Sequence, residues 1–390
     1  MDSTFPKRLK GISEVRDDDL TIQYPGYTRS QLRRWKRYET AQLRAKEVKM
    51  TKKLITPAKR VEADRKQMDA ASKLKENTTL YKEALKELRA KDAQLEALLK
   101  LKETPQHFTI TPSGKDGKHE ATAFTLASDW HYEEEVRSGT VNGLNKFNLE
   151  IADQRINNFF NNDIKLILGA QRENVIKTHV LALLGDFITN NINEQVKEVT
   201  LLESTHALSA VQSRIISGIR SLLKETSPDL LILCHMGNHG RITERVHFAT
   251  ENGNSLEYLM YRTLQDLFAD EPRVKFLIAE GYHSYLDVYR WKFRFHHGHA
   301  INYHGGIGGL MIPAKKAVLN WNIARPVDYD VFGHFHQQML DAGNIITNGS
   351  LIGYNTYALS IKAAYEPPRQ GFFLVHEKYG KTASHTIALE

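Results

Sequence analysis

From residue 121 onward the chain carries Ser128-Asp129-Trp130-His131, Gly185-Asp186, Gly237-Asn238-His239, His296-His297-Gly298-His299 and Gly333-His334-Phe335-His336. Singly, each cluster is a weak signal, because a buried histidine is more often a hydrogen-bonded core residue than a ligand. Here each follows an apolar run. Together they supply imidazole, carboxylate and amide oxygen, the mixed donor set that divalent cations such as Mn²⁺, Fe²⁺ and Zn²⁺ favour. Two cations held close together need an anion between them to damp their repulsion. Asp186 suits that place, since its carboxylate has two oxygens to share and Gly185 lets the backbone come close. A hydroxide of lowered pKa is the expected second bridge, and two metals roughly 4 Å apart clamp an in-line displacement at phosphorus. That chemistry is phosphoester hydrolysis without a covalent enzyme intermediate. The single cysteine, Cys234, excludes an intrachain disulfide and a zinc-thiolate cluster. Lying in an apolar run without an activating base, it reads as packing.

The elements that must position these clusters are legible in the same runs. Strands are expected over residues 124–128, 179–184, 230–235, 274–279, 286–296, 330–332, 344–347 and 371–376. Helical patterns over 148–167, 194–224 and 255–268 alternate with the earlier strands, which argues for α/β layering with ligands gathered at strand ends. Upstream, residues 1–104 read as a basic helical region and 105–120 as a linker marked by Pro105, Pro112, Gly114 and Gly117. The catalytic domain is expected over 121–390. The apolar runs fall well short of the roughly 18 residues a membrane span requires, and Met1-Asp2-Ser3 leads into no apolar signal stretch. A cytoplasmic protein with no membrane association is expected.

The order Asp-x-His, Gly-Asp, Gly-Asn-His, His-Gly, Gly-His-x-His over residues 121–355 resembles the calcineurin-like metallophosphoesterase superfamily. Asn348-Gly349-Ser350-Leu351 resembles the Asn-Pro-Gly-Ser segment that often follows its last motif. The resemblance implies an α/β fold, a four-layer α-β-β-α sandwich, with two divalent metal ions: manganese first, and iron, zinc or magnesium as alternatives. It implies Asp129, His131, Asp186 and His336 around the first metal, and Asp186, Asn238, His297 and His334 around the second. His239 would be the catalytic residue that protonates or stabilises the leaving oxygen. His297 is chosen from its cluster as the residue before the glycine, which leaves His296 and His299 beside the ligands. Where the family has an acid after Gly-Asn-His, this chain has Gly240, which removes the neighbouring carboxylate that would orient His239 and leaves that duty open to an acid from elsewhere. Arg241 is a candidate for binding a substrate phosphate, set against an arginine with no such duty. The stretch between His131 and Asp186 exceeds what compact members need, and with 194–224 it predicts helical elaborations beside the site. The glycine-rich segment 303–309 lacks the Lys-Ser/Thr ending of a P-loop and reads as a loop near the metals.

Substrate class is read from the arm. Residues 1–105 hold 26 Lys and Arg against 16 Asp and Glu, whereas the remainder is slightly acidic. Within 29–60 there are 12 basic residues against Glu39 and Glu47, the footprint of a polyanion-binding segment. A helix is expected from Arg29 to about Met50, after a turn at Tyr24-Pro25-Gly26-Tyr27 and a Thr28 cap. Arg29, Arg33, Arg34, Lys36 and Arg37, interleaved with Trp35, resemble the recognition helix of a small helix-turn-helix, with phosphate-binding cations and an aromatic able to stack. The competing reading is a solvated basic helix whose Trp35 and Leu32 pack inward. A second helix over 71–101 is amphipathic and makes a homodimer conceivable. These features favour a nuclease acting on nucleic acid, DNA first, similar to the metal-bearing subunit of double-strand-break repair nucleases and of phage or mobile-element type. The alternatives are a cyclic-nucleotide or small-molecule phosphodiesterase, and a non-catalytic nucleic-acid-binding or virion structural protein that retains a metal site.

Overall fold

Strand β2 (Glu120–Ala127) exposes none of its eight side chains, because it is covered on both faces. Ala121, Ala123 and Ala127 join one apolar cluster, and Phe124 and Leu126 join another. The same alternation runs through β3 (Val175–Leu183) and β4 (Asp229–Cys234). With β5 (Val274–Ile278), β11 (Arg369–His376) and β12 (Gly380–Ala388) they form a six-stranded sheet of order β12-β11-β2-β3-β4-β5. Its four strands β2 to β5 run parallel, and β11 is antiparallel to β2.

A second six-stranded sheet has the order β1-β6-β7-β8-β10-β9. Its strands are β1 (His107–Ile110), β6 (Ser284–Val288), β7 (Trp291–Phe295), β8 (Tyr329–Phe332), β9 (Met339–Ala342) and β10 (Ile345–Thr347). The sheets face each other across an apolar layer in which Phe124 stacks on Phe293 at 5.2 Å and on Phe373 at 4.8 Å. Outside the first sheet lie α3 (Leu149–Ala170), α5 (Ser204–Glu225) and α6 (Leu256–Leu267), their apolar faces in the larger cluster. Asn148 starts α3 as an N-cap, its side chain accepting from the Ile151 amide. Outside the second sheet, α7 (Met311–Ala324) packs Ala314 and Val318 against Phe332 and Ile345. The result is the mixed α/β, α-β-β-α layering that the sequence resemblance implies.

This computed structural model describes residues 11–53, 65, 82, 86, 107–112, 119–303, 305 and 309–390. The chain divides into two compact units, Met1–Lys102 and Glu103–Glu390. In the first, α1 (Leu20–Gln23) and α2 (Arg29–Lys53) follow a 3-10 turn at Ile12–Glu14. Ile12, Leu20 and Leu32 form a small core, with Trp35 packed against it and set edge-on to Tyr27 at 5.1 Å. Glu39 ties this turn to α2, accepting from the Gly11 and Ser13 amides at 2.7 and 2.8 Å. The expected helix over 71–101 lies outside the described residues apart from positions 82 and 86, and the loop 303–309 is described only in part. Among the described residues, no helix is long and apolar enough to cross a membrane.

Several elements differ from expectation. The strand expected over 286–296 is a hairpin, β6 and β7, turned at Tyr289 with φ of 57°. Its turn residues, Tyr289-Arg290, carry none of the Gly, Asn or Asp that mark such turns. The helix expected over 194–224 is broken into α4 (Glu194–Lys197) and α5, because Thr200 leaves the helical path to bridge Glu134. β1 lies inside the expected linker and pairs with β6, whereas β9, β12, α7 and α8 (Thr356–Ser360) were not foreseen.

Candidate metal centre

The five clusters sit just past β2, β3, β4, β7 and β8, so both sheets deliver polar residues to one edge of the sandwich. Asp129, His131, Asp186, His334 and His336 all lie in the left-handed backbone region, with φ of 54°, 47°, 55°, 70° and 54°. That conformation costs a non-glycine residue roughly 1–2 kcal/mol. Strain of this kind gathers where function over-determines the backbone. The loops approach so closely that a Cβ on Gly237 would stand 2.0 Å from Asp186 Oδ1, and one on Gly185 would stand 2.2 Å from Gly237 N. Glycine at both positions is therefore a steric requirement of the site.

Two groups of ligand atoms result, Asp129, His131 and His336 in one and Asp186, His297 and His334 in the other, the atoms of each lying within 4.8 Å of one another. Asp186, expected to be shared by both groups, falls in the second. His297 Nδ1 lies 2.7 Å from the Leu184 carbonyl, which fixes its proton there and leaves Nε2 toward Asp186 Oδ2 at 2.9 Å. His334 Nδ1 stands 3.2 Å from His297 Nε2. The aspartates also hold the loops: the His334 amide donates to both oxygens of Asp129 at 3.0 Å, and the His239 amide to Asp186 Oδ1 at 2.8 Å.

Three of the four candidate imidazole ligands are neutral. Burial, reinforced by neighbouring histidines, holds His131 and His334 well below the usual imidazole range and His336 down at about 3. These rings are therefore neutral and able to coordinate. Burial opposes ionisation of Asp186, but the charge and hydrogen bond of His297 lead the effects that outweigh it and hold the carboxyl well below its ordinary range. His297 is pushed up to about 10 by Asp186 despite its burial, and burial pushes Asp129 up to about 7.

The donor set fits divalent cations by an independent sign: Asn238 Oδ1 and His336 Nδ1 are buried without a hydrogen-bond partner. Asn238 follows Gly237, which packs against Asp186, so its unsatisfied amide oxygen is free to serve a cation.

His239 Nδ1 lies 2.8 Å from the Thr189 carbonyl, and its ring meets that of His131 edge-on at 4.8 Å. A backbone carbonyl thus does the orienting that a neighbouring carboxylate was expected to do. The place beside Gly240 is filled by Glu257, from the first turn of α6; a Cβ on Gly240 would stand 2.8 Å from Glu257 Cγ. The fully buried Glu257 carboxylate accepts from the Phe187 and Gly237 amides, both at 2.7 Å. It therefore ties the loop bearing Asp186 to the loop bearing Asn238. Burial pushes this carboxyl up to about 8, with Asp186 adding and the two amides opposing. Sequence reasoning missed it, although an acid at 257 in register with Met260, Tyr261 and Leu264 on a helical apolar face was the available signal. Thr189, Glu134 and Asn190 were also missed. Thr189 Oγ1 lies 3.1 Å from His131 Nδ1 and donates to Glu134 at 3.2 Å, and Asn190 Nδ2 donates to the His239 and Arg241 carbonyls.

Arg241 folds back on its own loop, its guanidinium donating to the carbonyls of Asn238, Thr243 and Glu244. His296 lies away from the ligands, stacked on Phe332 at 4.8 Å, while the His299 ring is 5.6 Å from that of His297. In the N-terminal unit, Arg29 pairs with Asp18 at 2.7 Å, and Arg33 and Lys36 pair with Asp17 at 3.3 and 2.8 Å. Arg34 and Arg37 are exposed, and Trp35 is half-buried against the small core.

No family model matches the chain. No curated protein matches it in sequence. Solved structures similar to it include Vps29 of Chaetomium thermophilum, at 10% identity over 68% of this chain and 95% of that one, with a TM-score of 0.27. Another is the Thermus thermophilus sulfate thiohydrolase SoxB in complex with glycerol, at 9% identity over 70% of this chain and 57% of that one, with a TM-score of 0.30. A third is a dimetal phosphatase from Danio rerio, at 13% identity over 69% of this chain and 99% of that one, with a TM-score of 0.27. The reading of the site rests on its own geometry.

Proposed function

We propose that the C-terminal unit is a two-metal phosphoesterase acting on the phosphodiester bonds of nucleic acid, DNA first, with manganese as the preferred metal. The observation that carries this reading is the pair of His/Asp groups that could each hold a cation. A divalent pair bound there would supply Lewis-acid polarisation of the phosphoryl group and an activated water. Asp129, His131 and His336 would hold one ion, and Asn238, His297 and His334 the other, with Asp186 shared. The chain's own contribution is to hold these groups in place before substrate arrives and to manage one proton. His239 donates its Nδ1–H to the Thr189 carbonyl and, as the imidazolium, would pass its Nε2 proton to the leaving oxygen. The nucleic-acid substrate is supported by the basic excess of the N-terminal region and by the exposure of Arg34 and Arg37 on α2. Arg29, Arg33 and Lys36 are partly neutralised by Asp17 and Asp18 and contribute less.

The test is to incubate chelator-stripped full-length protein with end-labelled single- and double-stranded DNA, with and without Mn²⁺, beside Asp186→Asn. Metal-dependent cleavage that Asp186→Asn abolishes is the expected result. Hydrolysis of bis-(4-nitrophenyl) phosphate without DNA cleavage would keep the phosphoesterase and reject the nuclease.

A further inference from the structure

The loop between Gly240 and Ser255 is tied to the metal centre at its base. The Ile242 amide donates to the Asn254 carbonyl at 2.9 Å, and the Leu256 amide to the Gly240 carbonyl at 2.8 Å. Asn190 holds the His239 and Arg241 carbonyls, and the Arg241 guanidinium binds the Asn238 carbonyl. From this anchored loop two large apolar side chains face water, Ile242 at 63% exposure and Phe248 at 51%. Their exposure is costly, and beside a polar, charged site it has no packing purpose.

Phe248 does not hang free. Its ring lies nearly parallel to that of His299, at 5.3 Å and 19°, and Tyr282 braces it edge-on at 5.6 Å. His299 in turn lies 5.6 Å from the His297 ring and 6.4 Å from the His334 ring. Phe248 is thus one ring removed from two candidate ligands. Beneath it, His299 Nε2 faces Glu251 Oε1 at 3.5 Å, both side chains buried, which fixes the imidazole that backs the Phe248 ring.

We propose that Phe248, backed by His299 and Tyr282, is a stacking platform for the base adjacent to the phosphate processed at the metal centre. The inference rests on the nuclease reading and narrows it: the substrate is a single-stranded or frayed strand, because a base within an intact duplex cannot reach the ring. A flat, apolar, sequence-tolerant surface beside a phosphate site is the recognition that single strands use.

The test compares a single-stranded oligonucleotide with the same strand made abasic next to the mapped cleavage position, using wild type, Phe248→Ala and Phe248→Trp with Mn²⁺. Wild type and Phe248→Trp should prefer the intact strand by roughly 5- to 150-fold in kcat/KM, the range expected for one base–aromatic stack. Phe248→Ala should lose that preference. The same loss should appear in the Kd for the uncleaved oligonucleotide, read by fluorescence anisotropy on chelator-stripped protein. An abasic penalty that survives in Phe248→Ala, or no penalty in wild type, overturns the platform while leaving the nuclease intact. Wild type that hydrolyses bis-(4-nitrophenyl) phosphate but cleaves no oligonucleotide overturns the nuclease reading, and the platform with it.

Discussion

Replacing Glu257 by alanine should loosen the metal centre without touching a ligand. The change removes the acceptor of two buried amides, those of Phe187 and Gly237. Each orphaned amide costs about 1–3 kcal/mol, so roughly 2–6 kcal/mol is at stake. An opposing effect must be weighed. The Glu257 carboxyl, at about 8 in the folded chain against 4.5 in the unfolded one, binds a proton on folding between those values. Its contribution to stability is therefore present in full below pH 4.5 and is lost by about 1.4 kcal/mol per unit as pH rises toward 8. Near pH 5 the variant should be clearly less stable than wild type, and the gap should shrink toward pH 8. Chemical denaturation of the chelator-stripped protein at both pH values reads this. Metal affinity is the sharper measure, since the lost tie joins the loops of Asp186 and Asn238; calorimetry should show Mn²⁺ binding weakened by about 10- to 100-fold. Glu257→Gln should fare little better, because its amide N–H₂ would face one of the two N–H donors. An alanine variant that matches wild type in Mn²⁺ affinity, with a stability gap that does not change with pH, would refute this account of Glu257.

A second pH prediction concerns the fully buried network of Thr125, Asp163 and His179 between β2, β3 and α3. Burial raises Asp163 to about 7 and lowers His179 to about 3, so the folded pair is neutral where the unfolded pair is charged; between pH 4 and 6.5 the proton counts match. Asp163→Asn leaves His179 alone, so its stability should fall by about 1.4 kcal/mol per unit as pH drops below 6.5, a slope the wild type lacks. Urea unfolding at pH 5 and 6.5 separates the two. In the N-terminal unit, Trp35→Ala should strip protection from amide exchange over residues 11–35, whereas Arg34→Gln with Arg37→Gln should leave protection intact and flatten the salt dependence of DNA binding by about 1–2 in log–log slope.

The clusters that gather at one edge were readable in the sequence because each follows a strand, which before Asp129, Asp186 and Asn238 is a long apolar run. The sandwich's central strands share that property: β2, β3 and β4 are covered on both faces and carry little else. Elements at the margins were not readable. β12 mixes Lys381, Thr382 and Ser384 with few apolar residues because it is an edge strand. α7 hides its buried face behind exposed Ile312, Leu319 and Ile323, so its pattern has no clear apolar side. Glu257 showed only as an acid on an apolar helix face, and Thr189 and Asn190 gave no sign, for a different reason. They act through backbone amides and carbonyls of distant loops, and spacing along the chain does not record such contacts.

The central claim is that Asp186 joins two cation sites. Counting manganese bound per chain, by calorimetry and by elemental analysis after desalting, tests it most directly. Two ions per wild-type chain, with binding at both sites impaired in Asp186→Asn, is the result predicted. Wild-type protein that binds no manganese, iron or zinc at stoichiometric levels would contradict it.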